Sequence, residues 1–201
     1  MTDRNEDIKR LADRMIEEPS AVAEVVAQLE DAPRRERQTA AAALRQAAKT
    51  DASILVDYIP QLIDALNRPE AQTRWECLEA LTLLVPLDSR ACNKAIPEAE
   101  MALFDEESGP VRLGAMRFLC KLGATTAARS EKTWPLIDEG IQCYHGDLEF
   151  NDMLLAITDF SNGKLSDQVK LELKERMSFD AENGKGSLQR RAQQIIDNLN
   201  A

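Results

Sequence analysis

Residue types that carry covalent or metal chemistry are scarce in this 201-residue chain. There is one histidine, His145, and there are four cysteines, Cys77, Cys92, Cys120 and Cys143. A Ser-His or Cys-His dyad would have to use His145 as its base. Its place at the end of a helix, beside Gly146 and Asp147, reads instead as a surface histidine at a helix C-terminus. No C-x-x-C pair occurs, whereas zinc sites and dithiol redox motifs bring two thiols close together in sequence. No glycine-rich phosphate loop is present. Asp159-Phe160-Ser161 is not a kinase magnesium motif, because the strands and catalytic loop that would frame it are missing. These residues predict no catalytic centre, no metal site and no cofactor.

Composition is that of a soluble globular protein. Apolar residues make up 44% and charged residues 30%, an ordinary globular balance, and aromatics only 4%, with Ala and Leu abundant, which favours helix over sheet. The 35 acidic and 25 basic residues give a net charge of -10. Such a surface repels phosphate backbones and disfavours nucleic acid as a partner. The polar start Met1-Thr2-Asp3-Arg4-Asn5 is not a secretion signal, and no long apolar run suggests a membrane span. The expected setting is a reducing cytoplasm with mostly packed thiols, and a monomer is the default. Cys77 reads as a small core filler and Cys120 as a more exposed thiol.

The elements that would position any site come from a repeat. Residues 5–17 form a first helix, with Ile8, Leu11, Ala12, Met15 and Ile16 on one face and Pro19 and Ser20 beyond its end. From residue 20 the chain is self-similar. With Arg37, Arg74, Arg112, Phe150 and Gln189 as anchors, the spacings are 37, 38, 38 and 39 residues. Three positions on lie Ala40, Cys77, Ala115, Met153 and Ala192. Seven on lie Leu44, Leu81, Leu119, Ile157 and Ile196, and ten on lie Ala47, Leu84, Leu122, Phe160 and Leu199. These offsets trace one stripe of a helix, so each unit presents the same apolar face. Pro60, Pro97 and Pro135 recur in the preceding helix, each after a large apolar residue, where a proline bends the axis or sets a new first turn. Ala23 takes that place in the first unit, and the fifth unit lacks the proline. Two polar, turn-rich stretches, residues 161–164 and 180–186, read as loops.

Paired helices at this period, with a proline in the first, resemble HEAT repeats of the armadillo-like α-solenoids. Val111-Arg112-Leu113-Gly114-Ala115 is the nearest match to the opening of a second helix, and Glu36-Arg37-Gln38-Thr39-Ala40 and Thr73-Arg74-Trp75-Glu76-Cys77 are looser ones. Phe150 and Gln189 replace the arginine in the last two units, so an inter-repeat arginine ladder should stop after the third. The resemblance implies an all-α, right-handed α-α superhelix of about five HEAT-like pairs in one domain. An N-terminal cap helix (1–19) would precede repeats at 20–51, 52–88, 89–126, 127–165 and 166–201, each burying its stripe against its neighbours.

In HEAT-like stacks the outward face of the second helices lines the concave surface, and offsets one, two, five and nine should point there. Trp75, Leu83 and Leu113 would then form a small apolar patch rimmed by Glu76, Glu79, Arg117 and Lys121, the make-up of a protein-binding hot spot. The alternative is that Trp75 packs as peripheral core. The resemblance implies a non-catalytic scaffold for a protein or peptide partner. A second possibility is an enzyme or enzyme subunit like the HEAT-like bilin lyases, holding a small ligand in the groove with Glu76 and Glu79 beside Trp75. HEAT-like metal hydroxylases use several His-Glu pairs, which this chain lacks. A third, similar to HEAT-like DNA glycosylases, would need a basic, aromatic-lined groove, for which Lys185, Arg190 and Arg191 supply only one small spot.

Overall fold

The structure is a computed structural model describing residues 4–200. Every regular element among them is helical. The chain divides into two compact units, one ending at Gly114 and one beginning at Ala115.

In the first unit, α1 (Arg4–Glu17) packs mainly on α3 (Arg34–Thr50), which pairs with α2 (Ala21–Asp31). Ala12 and Met15 of α1 are buried, so the first helix covers one flank of α3. The second pair is α4 (Ile59–Asp64) with α5 (Ala71–Leu84), and α5 packs on α3. Next come α6 (Ser89–Cys92) and α7 (Ile96–Leu103), and α8 (Gly109–Gly123) begins in this unit and runs on into the second.

The prolines act as the repeat predicts. Pro60 and Pro97 stand in the first turn of α4 and α7, where a missing N–H costs nothing. Each new helix follows a 3₁₀ stretch, Ala52–Tyr58 or Asn93–Ala95, so the first member of the pair is broken and redirected. Asp51 starts the earlier stretch by accepting from the Ser53 N–H at 2.9 Å, and Asp88 caps α6 through the Ala91 N–H at 2.8 Å.

The second unit continues with α9 (Ala127–Tyr144), which contains Pro135, then α10 (Phe150–Ser161), α11 (Asp167–Asn183) and α12 (Gly186–Asn200). Thr126 caps α9 and Ser166 caps α11. The Ser166 N–H also donates to Ser130 Oγ at 3.0 Å, which ties the start of α11 to α9. Gly163 lets the turn after α10 press on Ala124. A Cβ there would fall 2.5 Å from the Ala124 Cβ and 2.6 Å from its Cα. The contact is locked by the Lys164 N–H donating to the Ala124 carbonyl at 2.8 Å.

The predicted stripe is buried through the first four units: Ala40, Leu44, Ala47, Cys77, Leu81, Leu84, Ala115, Leu119, Leu122, Met153, Ile157 and Phe160. The fifth unit departs from it. Ala192 is buried, but Ile196 and Leu199 are half-buried and Ile195 takes the core position. Helix α12 packs on α10 and α11, and among the described residues its buried arc is narrower.

Two expectations are corrected. Residues 180–183 are helical rather than looped, because Asp180 and Ala181 face the core and the Asp180 carbonyl closes the helix by accepting the Gly184 N–H at 2.9 Å. The turn shrinks to Gly184 and Lys185, and Gly186 opens α12 with a φ of 63° that disfavours other residues. Cys120 is buried rather than exposed, and burial pushes its thiol up, away from reactivity. Cys143 is the exposed thiol.

Leu81 is fully buried, so Leu81→Ala should cost about 2–5 kcal/mol. Gly163→Ala should cost about 1–3 kcal/mol by overpacking backbone. Gly114→Ala should be neutral or slightly stabilising, because its Cβ would meet Leu78 at an ordinary 3.4 Å. Urea midpoints of the three variants check this. A negligible loss for Gly163→Ala would show that the turn there can yield.

Candidate functional site

The outward strip of α5 is narrower than the sequence periodicity predicts. Trp75, Glu79 and Leu83 are half-buried and lie at one-turn intervals. Glu76, expected on the exposed rim, is only 2% exposed. Ala42 and Gly114, also assigned to the outward face, are buried. An interior helix has neighbours on both flanks, so the buried arc widens past the stripe and takes in offset two.

Burial of Glu76 is made possible by α3. Arg45 donates through Nε to Glu76 Oε2, and its guanidinium carbon lies 5.3 Å from the centroid of the Trp75 ring. One cation thus pairs a buried carboxylate and covers an indole face. Gln72 adds a side-chain hydrogen bond to Glu76 and itself accepts from Arg4 Nη2 at 2.9 Å, which extends the network to α1. Desolvation nevertheless wins at Glu76. Burial raises its carboxyl above the ordinary range although Arg45 and Gln72 pull the other way.

Leu113, at the start of α8, is half-buried in the first unit. Arg117 and Lys121 follow it at successive turns of the same helix, within the second unit. Arg117 is half-buried and Lys121 exposed. Trp75, Glu79 and Leu83 therefore come together on α5, and Glu76 lies beneath them as a support. Arg45 escaped the sequence reading. Its signal is a lone cation in the run Ala40-Ala41-Ala42-Ala43-Leu44, where a charge needs a buried partner.

The anchor arginines form the ladder foreseen for the early units. Arg37 donates to both carboxylate oxygens of Glu70, just before α5, and at 2.7 Å to the Ala32 carbonyl of its own unit. Arg74 repeats the pattern with Asp105 at 2.6 Å, and Arg112 donates to the Asp105 carbonyl at 2.9 Å. The Arg37 hydrogen bond holds the Glu70 carboxyl below the usual range. Burial opposes the same shift at Asp105, but Arg74 and the N–H groups of Ser108 and Glu107 prevail and lower it.

His145 sits just past α9, exposed, with Nε2 3.1 Å from both carboxylate oxygens of Asp180 and its ring 5.0 Å from that of Phe150. Among the described residues no group of histidine, cysteine and acidic side chains could hold a metal ion, and no helix is long and apolar enough to cross a membrane.

No family model matches the chain, and no curated protein does. Solved structures do. A designed armadillo repeat protein in complex with the peptide (KR)4 matches with a TM-score of 0.78 at 15% identity, over 96% of this chain and 90% of that one. Computationally designed armadillo repeat proteins for modular peptide recognition match with a TM-score of 0.76 at 15% identity, over 95% of this chain and 91% of theirs. An engineered protein matches with a TM-score of 0.73 at 15% identity and 99% coverage of each chain. The fold is an armadillo/HEAT-like α-solenoid. At this identity the likeness establishes fold and leaves the ligand open.

Two variants test the electrostatics. Arg45→Met should cost about 3 kcal/mol, because it leaves the Glu76 carboxylate buried and unpaired. Most of that loss should return in the Arg45→Met, Glu76→Leu double variant, and a purely additive double variant would refute the pairing. Glu70 and Asp105 ionise more readily folded than unfolded, so the stability they add is present above their unfolded values near pH 4 and is lost as pH falls below them. Glu76 acts oppositely, since the cost of its buried charge is relieved as it protonates. Between about pH 6 and pH 3, Glu70→Gln should lose less stability than the wild type, as read from urea midpoints.

Proposed function

We propose that this protein is a non-catalytic binding scaffold whose second-helix surface in the first unit holds a protein or peptide partner. The observation that carries the proposal is Trp75, a half-exposed indole on the outward strip of α5 with one face held by Arg45. An aromatic side chain already fixed in place loses little entropy when a partner covers it, which is what an anchor residue requires. Leu83, two turns on along α5, and Leu113 of α8 would add apolar area, and Glu79 a charge at the edge. Glu76 acts from beneath, by fixing Arg45.

The architecture supports the same reading. The designed armadillo proteins of this fold include one in complex with a basic peptide. The net charge of -10 favours a partner that is not itself strongly acidic. The free cysteines suit a reducing, cytoplasmic setting.

The test is an array of extended peptides, including (KR)4, probed with the wild type and with Trp75→Ala. Binders should be retained by the wild type and weakened about tenfold or more in the variant, whose thermal midpoint should stay close to the parent's. A change in tryptophan emission on binding that is lost in Trp75→Ala would report Trp75. Peptides held equally by both proteins, or no binder at all, would overturn the proposal.

A further inference from the structure

The second unit carries a groove between its first-position helices α9 and α11. One end is a cavity of about 360 Å³ lined by Trp134, Asp138, Glu172, Glu175 and Arg176. The other is a cavity of about 270 Å³ that shares Arg176 and is lined by Ile141, Phe179 and the His145–Asp180 pair. The first is predominantly polar and acidic, the second predominantly apolar.

Phe179 is 71% exposed although it sits on a helix with a well-filled core face through Val169, Leu173 and Met177. A large aromatic left in solvent beside a concavity marks a surface that something covers. The charges say what kind of group. Asp138, Glu172, Glu175 and Asp180 face Arg176 as the only guanidinium in the lining. That guanidinium is already spent, with Nε 2.6 Å from Asp138 Oδ1 and Nη2 2.9 Å from Oδ2. Glu172 is positioned by the Trp134 indole N–H, and at 2.8 Å by Gln168. Glu172 and Glu175 thus present negative charge that no basic side chain of the lining neutralises.

We infer that this groove docks an extended peptide segment of the pattern basic–any–apolar, with the basic side chain at Glu172 and Glu175 and the apolar one over Phe179. Spacing supports the pattern. Glu175 and Phe179 are four residues apart on α11, about 6 Å along the axis. Alternate residues of an extended chain project to one side about 6.6 Å apart. The groove shares no lining residue with the Trp75 surface, so Trp75→Ala distinguishes the two proposals.

The probe is a fluorescein-labelled peptide of three Lys-Thr-Leu-Thr units, followed by anisotropy, with a Glu-Thr-Leu-Thr peptide as its charge-reversed control. Phe179→Ser and Glu175→Lys change exposed side chains, and circular dichroism melting verifies that both remain folded. Each should weaken the lysine peptide about tenfold or more. Trp75→Ala should leave its binding unchanged, and the glutamate peptide should not bind. Undiminished binding to Phe179→Ser would overturn the inference and leave only charge attraction. Loss confined to Trp75→Ala would overturn it in favour of the first surface. Sedimentation adds a further arm: self-association of the wild type that Phe179→Ser abolishes would mean that a second copy fills the groove.

Discussion

Each helical pair in this protein carries one apolar stripe and lacks the means to bury it alone, so burial has to come from the neighbouring pair. Helix α3 shows the consequence. Its alanine-rich face is closed by α1 on one flank and α5 on the other, and Ala40, Leu44 and Ala47 lose all contact with solvent. On α12 the same stripe is only half covered, with Ile196 and Leu199 half-buried. Stability in such a fold is a sum of intrinsic and nearest-neighbour terms.

Polar contacts between pairs follow from the same constraint, because close-packed helices bury the groups at their rims. Among the described residues of the first unit, Arg37–Glu70 and Arg74–Asp105 link one second helix to the turn before the next. In the second unit, first-position helices are linked instead, through Trp134–Glu172 and Asp138–Arg176, each 38 residues apart. Residues one repeat apart face each other across a pair boundary, so the period that packs the core also aligns these bonds. The change from arginine to Phe150 and Gln189 at the anchor position accompanies the shift.

Arg45 connects packing to the proposed binding surface. Its charge is tolerable in an alanine-rich helix because Glu76 neutralises it, and Glu76 is tolerable under the surface because Arg45 and Gln72 satisfy it. The pair holds Trp75 from one side while leaving part of the ring in solvent. Apolar residues in place of both partners would pack as well but would not orient the indole in this way.

The sequence by itself determined the helical class, the period, the stripe of the first four repeats and the positions of the prolines. All of these arise from local periodicity and from residue types whose backbone effects are intrinsic, as with Pro60 and Pro97. It also placed Trp75, Glu79 and Leu83 on one strip, since that depends only on the 3.6-residue turn. Tertiary structure alone decided the width of the buried arc, which carried Glu76, Ala42 and Cys120 inward and left Ile196 half exposed. It likewise paired Arg45 with Glu76 across 31 residues, kept residues 180–183 helical, and opened the groove beside Phe179. Those outcomes depend on how many helices surround a side chain and on which partner lies within reach, and neither is encoded in the spacing along one helix.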